Sequence, residues 1–285
     1  MRFGAHQTFH IRDSWLYKGL HSVEALESDD TAMVELGIGK NMVGAMKFWM
    51  TALDIAENNE AWSLTSLGST IKKHDPYFEL DGTLLLLHYT LATNKTGATA
   101  WYWFFNKFSA TEFDTESLLV YYEAFVANAI EKKIQESTLK KDINCVIRTY
   151  KQPKLGEKVT PETENPSPFS KFQILTEEGK KLRKNKLRAD HLPSEIFIYL
   201  MHLYWRDFES CAPSMNLEAL VEKECSPGLV LGLGLDEMIE LIERSENEFK
   251  DKYFRFSRTG GYNIIEMNEE NAMKALTNYY KANQL

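Results

Sequence analysis

Residues 35–67 read Glu35-Leu36-Gly37-Ile38-Gly39-Lys40-Asn41-Met42-Val43-Gly44-Ala45-Met46-Lys47-Phe48-Trp49-Met50-Thr51-Ala52-Leu53, then Asp54-Ile55-Ala56-Glu57, Asn58-Asn59 and Trp62-Ser63-Leu64-Thr65-Ser66-Leu67. The glycines at 37 and 39 permit a sharp turn between two helices, because glycine reaches positive φ without a Cβ clash. Beyond the turn, Met42, Val43, Met46, Trp49, Met50 and Leu53 recur at three and four residues and mark one apolar helix face. Lys40, Asn41, Gly44, Lys47 and Thr51 fall largely on the other face. The segment from Asp54 to Leu64 has the pattern of a two-stranded hairpin, and Thr65 is placed to cap one more helix. Helix, turn, helix, hairpin is the order of a winged helix-turn-helix, an architecture that predicts nucleic-acid contact.

Working outward, helical periodicity dominates. A first helix is expected from Trp15 to Leu26, with Ser14 or Asp13 as its cap. Thr83–Leu91 and Thr99–Phe108 are strongly apolar and predict a buried helical pair. Asp114-Thr115-Glu116-Ser117 opens a helix carrying Leu118, Tyr122 and Val126, and Thr138–Tyr150 forms another. Four prolines among polar residues make Gln152–Pro168 a linker or long surface loop. The second half repeats the logic of the first. A helix holds Ile196–Met201, Asn216 caps a short helix over Leu217–Val221, and a longer one covers Leu235–Ile242 after the Ser226-Pro227-Gly228 break. Tyr253–Phe256, Gly260-Gly261 and Tyr262–Ile265 then give strand, turn and strand. The expected fold is mainly α, with two winged helix-turn-helix units flanking a helical middle and short β-hairpins as wings. The expected divisions are an N-terminal winged-helix domain at 1–80, a helical middle at 81–150, a linker at 151–170 and a C-terminal winged-helix-like domain at 171–285.

Composition sets bounds on function. The chain has 285 residues and a net charge of −8, which counts against non-specific coating of DNA, since neutralising phosphate needs a basic surface. Local basic patches remain open to it, as does docking on a basic partner. No apolar run approaches the roughly 18 residues of a membrane helix, and Met1–Gln7 lacks a signal-peptide core. Three scattered cysteines without a CxxC pair argue for a reducing cytoplasm and against a disulfide framework or structural zinc.

The candidate chemistries differ in strength. His6 and His10 are four apart, a metal spacing on a helix, but no further ligand completes a site. His6, Thr8, His10 and Arg12 alternate as a strand would and suit a polar surface patch better. Gly37-Ile38-Gly39-Lys40-Asn41 lacks the glycine spacing and the hydroxyl of a nucleotide-binding loop. Gly228–Gly234 has no βαβ context or acidic ribose ligand and reads as a turn and short strand before a helix. Trp101–Phe105 is aromatic on every side, which marks a core helix rather than a base-stacking platform. Lys180-Lys181-Leu182-Arg183-Lys184-Asn185-Lys186-Leu187-Arg188 is the clearest basic cluster, and Thr176–Gly179 before it can open a helix. No paired carboxylates, nucleophile elbow or activated cysteine nominates an enzyme, and Cys225 alone lies near a turn. No cofactor or metal is expected.

Several blocks together resemble the bacterial domain-of-unknown-function family numbered four thousand and seven. They are His6-Gln7-Thr8-Phe9-His10-Ile11-Arg12 with Trp15-Leu16 and Lys18-Gly19, Leu36–Val43, Leu64-Thr65-Ser66-Leu67-Gly68, Asp75-Pro76-Tyr77, and Ala98–Trp103 with Phe105-Asn106. Ser226-Pro227-Gly228 and the final hairpin match weakly. An apolar-aromatic run is expected before His88, where this chain has Leu84–Leu87. The resemblance implies a gene neighbourhood of DNA sulfur modification (phosphorothioation) and phage defence, often beside a sulfurtransferase, and it assigns no activity. The function it suggests is a non-enzymatic DNA-binding accessory component of such a system, in the cytoplasm and open to oligomerisation. Lys40, Asn41 and Lys47 would address double-stranded DNA from the first recognition helix. Arg2, Arg12, Lys180, Lys181, Arg183, Lys184, Lys186 and Arg188 would supply phosphate contacts. The alternatives are a transcriptional regulator of the same locus, or an adaptor that docks a sulfurtransferase or ATPase without touching DNA.

Overall fold

The computed structural model describes residues 1–152, 166–268 and 272–283, so most of the expected linker lies outside the described residues. The chain divides into two compact units, Met1–Glu79 with Thr90–Asn185, and Leu80–Tyr89 with Lys186–Leu285. The fold is mainly helical, with three small antiparallel sheets.

The first unit begins with α1 (Asp13–His21), a 3-10 turn (Val23–Glu27), α2 (Asp29–Leu36) and α3 (Lys40–Ala52). Gly37 ends α2 in the left-handed region at φ 62°, and Gly39 caps α3. The turn is therefore where the two glycines place it. The single helix expected over Trp15–Leu26 is instead a helix and a 3-10 turn, interrupted at Ser22. β1 (Ala56–Asn58) and β2 (Trp62–Leu64) pair as a hairpin, and α4 (Ser66–His74) follows, with Thr65 Oγ1 accepting from Gly68 N–H.

α5 (Asp81–Thr93) contributes residues up to Tyr89 to the second unit and the remainder to the first. The first unit continues with α6 (Thr99–Asn106), β3 (Glu112–Phe113), α7 (Thr115–Ala129) and α8 (Glu136–Tyr150), then β4 (Leu175–Glu178) and β5 (Lys181–Lys184). Asp114 caps α7 through a capping box with Ser117. Trp101–Phe105 are all buried, as a helix apolar on every side requires.

The segment expected to open a helix at Thr176–Gly179 is strand and turn. Glu178 pairs with Lys181 across a two-residue loop in which Gly179 has φ 64°. Within the two strands Leu175 and Leu182 are buried while Thr176, Lys181 and Arg183 are not, the period of two that a strand imposes. β3 pairs with the other edge of β5, giving the order β3-β5-β4. This pairing joins the basic cluster up to Asn185 to the first unit, and the middle of the chain is not purely helical.

The second unit holds α9 (Ser194–Asp207), β6 (Ser214–Asn216), α10 (Leu217–Glu222), α11 (Pro227–Leu231), α12 (Leu235–Phe249), β7 (Phe254–Thr259), β8 (Tyr262–Met267) and α13 (Ala272–Ala282). Its sheet order, β6-β8-β7, repeats that of the first unit's three-stranded sheet. Gly260 and Gly261 both take positive φ in the β7–β8 turn, as a two-residue hairpin loop demands. Gly228–Gly234 forms most of the short helix α11, its Gly232 cap and the N-cap of α12 rather than a strand. Among the described residues, no helix is long and apolar enough to cross a membrane.

Candidate nucleic-acid interface

α3 presents little free surface. Val43, Ala45, Met46, Phe48, Trp49, Met50 and Ala52 are buried, and the N-terminal segment lies over part of the remainder. Trp49 Nε1 donates to Phe9 O (3.0 Å), Arg2 sits 5.7 Å from the Phe48 ring, and the Gln7 side chain approaches Gly44. Lys40 and Asn41 are exposed in the first turn of α3, where free amides favour an anion. Lys47 is engaged elsewhere, with its Nζ 2.7 Å from Asp29 Oδ1. That contact also holds the Asp29 carboxyl below its usual range.

The expected phosphate contacts separate into outward and inward groups. Arg2 is exposed. Arg12 is only 8% exposed, its guanidinium 5.6 Å from the Phe9 ring and 5.1 Å from that of Trp15, so it works inside the fold and not on a surface patch. Lys180, Lys181 and Arg183 are exposed on the β4–β5 hairpin. Carboxylates flank them, since Glu178 lies opposite Lys181 and Glu112 opposite Arg183. Lys184 turns inward, and its Nζ donates to Phe104 O (3.0 Å) about equally far from the Phe104 and Phe105 rings (4.9 and 5.0 Å). Burial pulls its pKa down to about 8. Lys186 and Arg188 are exposed in the second unit, and Arg188 forms a two-pronged pair with Asp190.

The two histidines do not form a helical metal pair or an exposed strand face. Residues 4–9 form turns, with Gln7 N–H donating to Gly4 O and Phe9 N–H to His6 O, and with Gln7 and Thr8 at positive φ. His6 and His10 are buried. His6 Nε2 pairs with Asp142 Oδ1 at 2.8 Å, and that same oxygen accepts from Gly4 N–H (2.8 Å). Burial works against the imidazolium, but the Cys145 sulfur and the Asp142 carboxylate outweigh it and raise the His6 pKa to about 10. Burial first, and Asp142 second, push the Tyr122 hydroxyl up. This buried cluster clamps the N-terminal segment to α8, two stretches 136 residues apart.

Sequence reasoning passed over the outer face of α8. Leu139, Asp142, Ile143, Cys145, Val146, Ile147, Thr149 and Tyr150 point inward. Lys140, Lys141, Asn144 and Arg148 are exposed at helical spacing on the opposite side. The signal was present in the expected helix Thr138–Tyr150, whose outward polar positions are all cationic or neutral.

The profile of the family described as "Protein of unknown function (DUF4007)" matches residues 3–280. The chain belongs to this family. Two crystal structures of SspB, one with bound magnesium ion, have the same fold, with TM-scores of 0.85 and 0.84 at 22% identity. Each alignment covers 98% of this chain and 88% of the SspB chain. A comparison with curated protein sequences finds no match. Among the described residues of this family member, no group of three or more His, Cys, Asp and Glu side chains is placed to hold a metal ion.

Proposed function

We propose that the protein is a DNA-binding accessory component of a DNA sulfur-modification or phage-defence system, acting in the cytoplasm. The setting rests on the family resemblance, with which the SspB fold is consistent. The DNA contact rests chiefly on one structural observation. The β4–β5 hairpin carries Lys180, Lys181 and Arg183 outward, and we read the run α6–β3–α7–α8–β4–β5, with its sheet ordered β3-β5-β4, as a winged helix of which that hairpin is the wing. The earlier run α2–turn–α3–hairpin reads as a second such unit, offering Lys40 and Asn41. In a chain of net charge −8, contact with phosphate is confined to such local cations and should be steeply salt-dependent.

Fluorescence anisotropy on duplex DNA, with and without phosphorothioate linkages and at several salt concentrations, tests this. Sub-micromolar, salt-sensitive binding is expected. Charge reversal of the wing (Lys180→Glu, Lys181→Glu, Arg183→Glu) should weaken it at least tenfold, and Lys40→Glu less. Absence of binding even at low salt would sink the reading in favour of an adaptor. One observation favours that second reading for the other unit. α12 holds the place of α8 in the repeated topology, yet exposes Asp236, Glu240 and Glu248, a face that repels phosphate and suits a basic protein.

A further inference from the structure

We infer that α8, in preference to α3 and α12, is the helix that lies in the duplex groove; this deepens the proposed function and rests on it. In a helix-turn-helix the second helix enters the major groove, while the first crosses the backbone. In the winged run of the first unit the second helix is α8, packed on α7. Its inner face is anchored through Leu139, Ile143, Val146 and the Asp142–His6 pair, so its outer face is fixed in orientation.

That outer face matches a polyanion. Lys140, Asn144 and Arg148 stand one turn apart along it, with Lys141 beside them, all exposed. A rise of about 1.5 Å per residue spreads the row over roughly 12 Å of helix, and the major groove, about 12 Å wide, admits an α-helix. Among the described residues, none of the three cations has a carboxylate partner. This separates them from Lys47, Lys184 and Arg188, which have partners in the fold. The chemistry divides the row into lysines and an arginine for phosphates and an asparagine able to pair with adenine. The C-terminal end of α8 is tied to the wing, because Lys151 Nζ holds Glu177 Oε2 of β4 at 2.9 Å. The end of the helix is thus held against the wing within the first unit. By contrast, α3 is partly covered by residues 1–9, and α12 is acidic.

The test uses the full chain and compares Lys140→Ala/Lys141→Ala/Arg148→Ala with wild type and with the wing variant on a duplex of defined sequence. Thermal melts check that the exposed-face variant folds. The triple variant is expected to lose at least tenfold in affinity. The slope of log K against log salt should become shallower by about 2 to 3, at roughly 0.9 per phosphate contact. Asn144→Ala should leave the slope unchanged and reduce discrimination between duplex sequences. If wild type binds and the triple variant matches it in affinity and slope, α8 is not the groove helix, although the DNA-binding reading stands. If wild type binds no duplex, but this face captures polyglutamate or phosphatidylserine vesicles, both fall.

Discussion

Replacing Asp142 with Ala is expected to destabilise the first unit by about 3–5 kcal/mol, the cost of stranding one member of a buried ion pair. His6 is 1% exposed and Asp142 2% exposed, so no solvent can enter to screen the charge left behind. The substitution also removes the acceptor for Gly4 N–H and releases residues 1–9 from α8. The effect should depend on pH. The folded-state pKa of His6 is raised from 6.5 to about 10, so its contribution is fully present below 6.5 and is lost as pH rises through 10. Urea denaturation of wild type between pH 6 and 10 should therefore show falling stability that Asp142→Ala flattens. Pairing His6→Gln with Asp142→Asn should recover part of the loss, because a neutral hydrogen-bonded pair replaces the charges. A loss under about 1 kcal/mol for Asp142→Ala, with an unchanged pH profile, would mean that the clamp contributes nothing beyond packing.

The clamp also shows where sequence reading ends. Local grammar was legible: the Gly37–Gly39 turn, the hairpin after α3, the Thr65 cap and the Gly260-Gly261 loop all follow from residues adjacent in the chain. What escaped depends on contacts between distant segments. β3 is two residues long, too short for any period to reveal it, yet it interrupts the expected helical middle and adds a third strand to the β4–β5 hairpin. The run Lys181-Leu182-Arg183-Lys184 has a single apolar residue, so charge masked its alternation. Arg12 and Lys184 look like surface cations until the aromatic rings of Phe9, Trp15, Phe104 and Phe105 are placed beside them. The outer face of α8 is the opposite case. Its spacing was readable, but the cluster at Lys180–Arg188 is denser in charge and drew the assignment.

Gly68→Ala is expected to cost about 3 kcal/mol, at or beyond the upper end of what overpacking a core imposes. An added Cβ would fall on the carbonyl oxygen of Ile55, a backbone atom that no rotamer change can move aside. That carbonyl is held in place, since it accepts from Thr65 N–H (3.1 Å) and lies within 3.3 Å of Thr65 Oγ1. Thr65 in turn caps α4 through Gly68 N–H. Relief of the clash must therefore displace α4 from the hairpin or break its cap, a loss of about 1 kcal/mol on its own. Gly37 provides the contrast. A methyl group there would meet no atom within 4 Å, but the φ of 62° is unfavourable for alanine. Gly37→Ala should therefore cost only about 1 kcal/mol. Urea midpoints of the two variants should separate clearly, with Gly68→Ala far lower. Equal midpoints would show that α4 shifts freely against the hairpin, and the tight approach between them would then have no part in holding the first unit together.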